Sequence, residues 1–540
     1  MITTISSIKI VGTQAVPITI ECSIESGIGI HLVGLADAAV KESLLRTVTA
    51  LQAKGYHIPG KRIVINLSPS DLYKEGCGYD LPIAIAIIAA SEQETLPVDE
   101  LGGWLVVGEL GLDASIRNVP GAYQAASLAV TNGYKGVIVP EDNLPAFVEL
   151  LPEGAPVYPV KNLEEALLAI THPDEALKAG DWYQRLLEKK PDLGANQVTP
   201  SQTWDLIRGN DAGKRAVEIA AAGRHNILLI GAPGSNKGLL ARSLANLLPP
   251  MSLKEASDVA DIYSADGRDC RLYDDVKKRP FRAPHISASI RTLLGGGTAD
   301  RVGPGEVSLA HNGVLFFDEF AEAPKVLGEA LRAPMEDKQV VISRLRSKVS
   351  FPSDFILALA SNPCPCGYYG EGERCTCTPG QRDRYLSRLS GPVMDRVSIQ
   401  AWCHPPRPEL LLTPSTGESF HTVSERVAKA TAIQRKRYAA ESYKSNEDIP
   451  AKDIDRYCPL TQECKVLVEK IMTQLGLSAR AYSRIIKIAR TIADLEGKDN
   501  IEPQHLAEAS SYRFLDRRNL FNNDPVQLPD NRCAAVRKRT

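Results

Sequence analysis

Short apolar runs and helical patterns alternate along the first third of the chain. The runs that predict strands include Arg62–Leu67, Trp104–Val107 and Gly136–Val139, and the patterns that predict helices include Ala36–Ala53 and Gly121–Thr131. Short apolar runs between turn residues are typical of strands, whereas apolar positions three to four residues apart are typical of helices. Residues 1–171 are therefore predicted to form an α+β or α/β unit.

The polarity of the chain changes twice beyond this unit. Residues 172–202 are polar and rich in charge, which predicts a linker with one short helix. Residues 203–408 contain near-continuous apolar runs at Asn226–Ile230, Val314–Phe317 and Phe355–Ala360. Such runs are typical of strands buried on both faces of a parallel sheet, so this segment is predicted to be an α/β core.

Beyond this core the pattern is helical. Four candidate helices lie within residues 409–518, at His421–Ala440, Thr461–Leu475, Ala479–Leu495 and Pro503–Tyr512. They predict a small all-α domain. The polar segment 519–540 is expected to be a flexible tail.

Length and charge restrict the classes of protein to consider. The 540 residues suggest roughly three or four domains. Lys and Arg number 63 against 65 Asp and Glu, a net charge of −2, which excludes a globally basic nucleic-acid coat but permits a local basic pore for DNA. The longest apolar stretch, Leu81–Ala90, is too short to span a bilayer and predicts a buried helix. The N-terminus lacks a secretory pattern, so a cytoplasmic location is expected.

A phosphate-binding loop follows the first core strand. Its residues are Gly231, Ala232, Pro233, Gly234, Ser235, Asn236, Lys237 and Gly238. Between a strand and a helix, the backbone N–H groups of such a loop bind a polyphosphate, and the lysine reaches the outer phosphates. We therefore expect ATP to bind here.

Two positions of this loop depart from the usual pattern GxxxxGK[ST]. Asn236 stands where glycine is usual, and Gly238 stands where a Ser or Thr hydroxyl would bind the Mg²⁺ of the nucleotide. Two interpretations stay open: an ATP-hydrolysing motor, or a ring component that binds nucleotide with little or no hydrolysis.

Polar residues at the ends of two further strands complete the predicted ATPase site. Asp318 would hold Mg²⁺ through water and Glu319 would polarise the attacking water, while Asn362 would position that water. The alternatives are a helix-capping acid after a buried strand and an ordinary turn asparagine before Pro363.

Three arginines are candidates for contacts with phosphate. Arg396 follows a turn and would reach the nucleotide of a neighbour in a ring, whereas Arg480 and Arg484 share one helix face and would contact phosphates from above. A surface salt bridge and a solvated helix face are the alternatives.

Four of the eleven cysteines are clustered. Cys364, Cys366, Cys375 and Cys377 form two Cys-x-Cys pairs around a Gly/Glu-rich loop. Four thiolates suit one tetrahedral Zn²⁺ without an open position, which predicts a structural zinc site; disulfides are the alternative.

A basic segment lies between the phosphate loop and Asp318. Lys277, Lys278, Arg279, Arg282 and His285 fall within nine residues. This segment is expected either to line a pore and contact a phosphate backbone or to form an exposed basic loop.

Several phrases of the sequence resemble the magnesium-chelatase-like AAA+ family, and specifically its ComM/YifB group. They are Val33–Ser43, Lys74–Gly76 with Asp80–Ile83, Arg279–His285, Ser308–Val314, Asn362–Gly367, Leu477–Tyr482 and Ala489–Asp494. The resemblance covers nearly the whole chain. It implies a Lon-protease-like first domain, an AAA+ core and a helical lid, assembled as a homohexameric ring that uses ATP to drive DNA branch migration during DNA uptake and recombination.

The resemblance also assigns roles to single residues. It makes Asp318 and Glu319 the second ATPase motif, Asn362 the first sensor, Arg396 the arginine finger and Arg480 the second sensor. It supports zinc at the four cysteines. In the basic segment the family carries a second histidine where this chain has Ile286.

The Lon-like domain lacks the peptidase dyad by this resemblance. Gly78 stands at the position of the nucleophilic serine and Tyr123 at that of the lysine, so peptidase chemistry is not expected. A porphyrin-metallating subunit is a third possibility from the wider family, but the first domain and the cysteines argue against it.

Overall fold

The computed structural model of the chain describes residues 2–36, 38–74, 76–188, 200–266, 278–297, 302–343, 348–389, 393–406, 409 and 417–516. The predicted tail at 519–540 and the part of the predicted linker from 189 to 199 lie outside the described residues. Among the helices within these ranges, none combines the length and the apolar character that a bilayer crossing needs.

The first region is built on one seven-stranded mixed sheet. Its spatial order is Gly29–Val33, Arg62–Ser68, Gln14–Glu25, Ile2–Val11, Trp104–Val106, Gly136–Pro140 and Val157–Val160. Its helices are Ala38–Ala53, Asp80–Ala90, Ala122–Asn132, Leu163–Thr171 and Ala179–Glu188. A short antiparallel pair, Glu109–Leu110 with Ile116–Arg117, completes it. Every residue of Asp80–Ala90 is buried, as its unbroken apolar pattern predicts.

The central region is a five-stranded sheet in which all pairings are parallel. The strand order is Phe281–Arg282, Val314–Phe317, Ile356–Ser361, Ile227–Gly231 and Ile399–Cys403. The surrounding helices are Pro200–Asp205, Asp211–Gly223, Lys237–Leu247, Leu253–Asp266, Ile290–Leu294, Glu306–Leu309, Lys325–Asp337 and Pro379–Leu386. Two antiparallel hairpins extend from it, Gly295–Gly297 with Val302–Pro304 and Gln339–Ser343 with Lys348–Pro352.

The last region is helical, as predicted. Its helices are Phe420–Arg437, Ile454–Tyr457, Gln462–Leu475, Ala479–Leu495 and Pro503–Ser511. Buried residues of these helices, such as Val427 and Ile488, belong to the same hydrophobic cluster as Ile227 and Leu229 of the central sheet. The fold class predicted from the sequence, an α/β multidomain protein with a parallel-sheet core and an all-α region, is confirmed.

Hydrogen bonds join the first region to the central one. Helix Ala122–Asn132 lies against helix Leu253–Asp266, and Tyr123 Oη is 2.6 Å from Ser257 Oγ. Gln124 Nε2 donates to a backbone carbonyl of helix Leu253–Asp266 at 2.8 Å. Tyr123 and Gln124 thus connect two parts of the fold.

Candidate nucleotide-binding site

The phosphate-binding loop sits at the carboxyl end of a strand that has parallel neighbours on both sides. Ile230 is paired with Ser361, and Gly231 is paired with Cys403. Ligand sites of open parallel sheets lie at this edge, and the N-terminus of the following helix, Lys237–Leu247, faces the loop. The register also brings Asn362, one residue beyond Ser361, beside the loop.

The loop backbone needs special residues at two positions. A Cβ on Gly231 would lie 2.1 Å from the Cys403 carbonyl oxygen, so only glycine allows the two strand ends to approach so closely. Asn236 has a φ of +62°, a left-handed conformation that asparagine adopts more readily than most residues. The replacement of the usual glycine by Asn236 therefore preserves the turn. Asn210 Nδ2 donates to the Ser235 carbonyl at 2.9 Å and ties the loop to the preceding segment.

The ammonium group of Lys237 lies across the loop. Its Nζ donates to the Gly231 carbonyl at 2.7 Å and to the Ala232 carbonyl at 3.2 Å, and it is 3.3 Å from Asn362 Oδ1. Burial lowers the pKa of Lys237, which the nearby carboxylates of Asp318 and Glu319 oppose. Lys237 thereby interacts with Asn362, Asp318 and Glu319, the residues that follow the two neighbouring strands.

These residues line one cavity of about 580 Å³. It is lined by Pro233, Gly234, Ser235, Asn236, Lys237, Gly238, Leu239, Arg242, Phe281, Ala283, Phe316, Asp318, Glu319 and Asn362. Asp318 and Glu319 are exposed within it. The cavity thus brings the loop, both predicted acids and the predicted water-positioning asparagine together.

The donor set matches Mg²⁺ in part. The carboxylates of Asp318 and Glu319 are the hard oxygen ligands that this ion prefers. Gly238 supplies no oxygen from a side chain, although a Cβ there would have no heavy atom within 4 Å, so a threonine has room at this position. The site therefore fits a cation at the acids and does not fit the hydroxyl ligation that is usual at position 238.

Arg396 and Arg480, two of the three arginines predicted to act on phosphates, lie beside each other and outside the nucleotide cavity. Arg396 forms an ion pair with Glu336, and Arg480 Nη1 is 2.7 Å from Asp395 Oδ2. Burial lowers the pKa of Arg396, and the positive charges of Arg332 and Arg480 add to this effect. The structure therefore groups Arg396 with Arg480 on a surface apart from the cavity lined by Lys237.

Arg484 lies on the same helix as Arg480 but has different neighbours. Its Nη1 is 3.5 Å from Ser398 Oγ, and its positive charge contributes to lowering the pKa of Glu447. It lines a second cavity of about 260 Å³ that also includes Arg396.

Sequence reasoning overlooked one wall of the nucleotide cavity. Arg242 lies on the helix that follows the loop, and its Cζ is 4.9 Å from the centre of the Phe281 ring. Phe281 is stacked on Phe316, with ring centres 5.9 Å apart and an angle of 24° between the planes. The available signal was helical spacing, because Arg242 stands four residues after Gly238.

The four clustered cysteines are close enough to share one metal ion. Their Sγ atoms all lie within 4.8 Å of one another. Cys364 Sγ is 3.3 Å from Cys366 Sγ and 3.8 Å from Cys375 Sγ. A tetrahedron with Zn–S bonds of about 2.3 Å has edges of about 3.8 Å, so this cluster has the dimensions of a four-thiolate zinc site.

The turn between the first two and the last two cysteines of the cluster, at Gly367, contacts the phosphate loop. Gly367 has a φ of +84°, and a Cβ there would lie 3.0 Å from Pro233 Cδ. The turn after Cys364 therefore packs on the loop, and Asn362 lies two residues before Cys364. The position of the phosphate loop therefore depends on whether the cysteine cluster is well ordered.

The basic segment divides into exposed and internally paired residues: Lys278 and His285 are exposed, as predicted, whereas Arg279 and Arg282 are held within the fold. Arg279 is buried, and its guanidinium donates to the Pro249 carbonyl at 2.6 Å and to the Asn312 carbonyl at 2.7 Å, in addition to its ion pair with Glu255. Arg282 forms a two-bonded ion pair with Glu306. The interpretation of Arg279 as a pore-lining or exposed residue is wrong, because Arg279 is buried and its N–H groups are bonded to backbone carbonyls. Lys277 lies outside the described residues.

The positions that the resemblance aligns with a Lon-type dyad hold the following side chains. Gly78 offers no nucleophile, and Lys74 is buried with its Nζ bonded to the Pro69 carbonyl. Tyr123 is buried and bonded to Ser257. The side chains at these positions serve packing and hydrogen bonding.

Together, the five-stranded parallel sheet, the loop at its carboxyl edge and the adjoining helical region define a P-loop protein of the AAA+ class. Comparison with known families agrees. The family described as magnesium chelatase, subunit ChlI, matches residues 203–409; subunit ChlI of Mg-chelatase matches residues 20–143, and the ChlI C-terminal family matches residues 417–513.

Relatives that align with almost the whole chain identify its group within this family. Protein YifB of Escherichia coli is 43% identical over 508 residues, which cover 94% of this chain and 96% of YifB. Competence protein ComM of Haemophilus influenzae is 40% identical over 511 residues, with the same coverage of 94% and 96%. The archaeal Lon protease of Methanocaldococcus jannaschii is 29% identical over 143 residues, 26% of this chain and 21% of that protein. The chain belongs to the ComM/YifB group of magnesium-chelatase-like AAA+ proteins.

Proposed function

We propose that this protein is an ATP-driven DNA motor of the ComM type, which promotes branch migration during DNA uptake and recombination in the cytoplasm. The observation that carries the proposal is the convergence of Lys237, Asp318, Glu319 and Asn362 on one cavity beside the phosphate loop. The extended similarity to competence protein ComM supports a role with DNA.

Each cavity residue has a chemical task in this proposal. The loop N–H groups and Lys237 would bind the phosphates of ATP, and Asp318 would hold Mg²⁺. Glu319 polarises the attacking water, which Asn362 positions. The magnesium ion would neutralise charge on the phosphates.

The surface that holds Arg396 and Arg480 suits a role between subunits. The charges of Arg396 and Arg480 are close enough to interact, and neither residue lines the cavity that contains Lys237. In a homohexameric ring, we propose that Arg396 acts as the arginine finger on the neighbour's nucleotide and that Arg480 assists it. DNA would pass through the ring pore.

We also propose that Cys364, Cys366, Cys375 and Cys377 hold one zinc ion. All four ligands would be thiolates, so zinc would have a structural role there, without an open position for substrate. Its function would be to fix the turn that packs on Pro233.

A second candidate function has specific support in the loop. Gly238 lacks the hydroxyl that ligates Mg²⁺, so the protein would bind ATP while hydrolysing it weakly or not at all. In that case it would be a structural or regulatory ring component.

Side-by-side measurement of ATP binding and phosphate release, with and without forked DNA, separates these functions. A motor releases phosphate from ATP, and DNA accelerates the release. A regulatory component binds ATP but hydrolyses it only when Asn236→Gly and Gly238→Thr are introduced together. Lys237→Met is the control that should remove binding in both cases, and a wild-type chain that binds no ATP would contradict both proposals.

A further inference from the structure

Gly238 and Arg242 lie one turn apart on the same face of the helix Lys237–Leu247. Side chains on an α-helix tilt toward its N-terminus, so an arginine at this position extends over the residue four places earlier. The space above Gly238 is open, because an added Cβ would meet no heavy atom within 4 Å. Gly238 and Arg242 both line the nucleotide cavity, so a charge at Arg242 faces the same space as a Ser or Thr hydroxyl at position 238 would.

The guanidinium of Arg242 lies over an aromatic ring at the cavity wall. Its Cζ lies 4.9 Å from the centre of the Phe281 ring, and this ring is stacked on Phe316. A cation–π contact uses no hydrogen-bond donor of the guanidinium, so its N–H groups stay able to bond a ligand in the cavity. Arg242, Phe281 and Phe316 line the same cavity as Lys237.

We propose that Arg242 binds the outer phosphates of the nucleotide, in compensation for the cation ligand that Gly238 lacks. A guanidinium is permanently charged and bonds phosphate oxygens in a two-pronged manner, so it can supply positive charge that Mg²⁺ otherwise supplies. This inference rests on the proposed nucleotide site. Its consequence is that the affinity for ATP depends only weakly on Mg²⁺.

The test is a titration of the full-length protein with a fluorescent ATP analogue, in Mg²⁺ and in EDTA. We expect the Kd of the wild-type chain to rise by less than about tenfold in EDTA. Arg242→Ala should weaken binding in EDTA by about tenfold or more, the effect of a lost charge-assisted hydrogen bond. Arg185→Ala, which removes an exposed arginine on the helix Ala179–Glu188, is the matched control and should change neither value.

Two further variants keep the result interpretable. Arg242→Lys retains a positive charge and should retain part of the binding in EDTA. Gly238→Thr added to Arg242→Ala should restore binding in Mg²⁺ but not in EDTA, because the new hydroxyl acts through the ion; this restoration also shows that Arg242→Ala has left the fold intact.

The opposing outcomes are distinct. If the wild-type chain binds ATP in Mg²⁺ and loses binding in EDTA, or if Arg242→Ala binds as the wild type does in EDTA, the assignment of Arg242 is wrong while the proposed nucleotide site stands. If no condition gives binding, the proposed function and this inference both fail.

Discussion

Replacement of Arg279 by methionine is expected to destabilise the central region rather than to weaken contact with DNA. The guanidinium is buried among Glu255, the Pro249 carbonyl and the Asn312 carbonyl. Although burial acts to raise it, the charge of Arg279 and a backbone N–H bond from Ser252 lower the pKa of Glu255 to about 2 from its ordinary value of 4.5.

The size of the effect follows from this coupling. Arg279 accounts for only part of the lowered pKa of Glu255, because the Ser252 backbone N–H and the charge of Arg224 also lower it, and burial lowers the pKa of Arg279 itself to about 10. Removal of one partner of a buried ion pair costs about 3–5 kcal/mol. Since Glu255 keeps 16% of its side chain exposed, we expect the lower end, about 3 kcal/mol. For a domain of this size, that lowers Tm by about 6–12 °C.

Thermal unfolding followed by circular dichroism measures this change, with Lys278→Ala, at an exposed neighbour, as the control. The low folded pKa of Glu255 adds stability that is present above about pH 4.5 and is lost as pH falls toward 2, so this acid-dependent part should shrink in Arg279→Met. A variant that keeps its Tm but loses salt-sensitive DNA binding would refute the structural role of Arg279.

Three further changes test other parts of the structure. Cys375→Ser should lose bound zinc by elemental analysis and weaken ATP binding several-fold, because Gly367 packs on the phosphate loop; Cys77→Ser, outside the cluster, should do neither. Burial lowers the pKa of His311 to about 4, and its Nδ1 accepts a hydrogen bond from the backbone N–H of Asp354. The free energy of unfolding should therefore fall by up to about 3 kcal/mol as the pH drops from 6.5 to 4, because the unfolded chain binds the proton more readily. His311→Asn should remove this dependence in urea titrations; an unchanged pH profile would contradict the assignment. Tyr123→Phe should expose helix Leu253–Asp266 to faster hydrogen exchange at unchanged ATP affinity.

The sequence predicted the elements of the fold well where the hydrophobic period was long and regular. Helix Ala479–Leu495 has the predicted bounds, and strand Val314–Phe317 is likewise unchanged. Helix Ala38–Ala53 begins two residues after the predicted start at Ala36. Ends of helices depend on capping and on neighbouring segments, which periodicity does not contain.

The residues of the candidate site that follow parallel strands could be predicted from the sequence. Residues after parallel strands must meet at one sheet edge, so Asp318 and Asn362 could be placed beside the loop from the sequence. The burial of Arg279 could not be predicted, because its partners, such as the Asn312 carbonyl, are backbone atoms distant in the chain. The wall formed by Arg242 and Phe281 also depends on tertiary packing.

The hydrophobic cluster that joins Ile227 and Leu229 of the sheet to Val427 and Ile488 of the helical region has a mechanical consequence. Swinging the helices away from the sheet would expose this shared apolar surface to water, at a cost that grows with its area. The sheet and the helical region should therefore move together as one rigid body. In a ring of such subunits, a displacement at the phosphate loop would change the contacts between neighbouring subunits, where Arg396 and Arg480 would sit. It would not change the packing within a subunit.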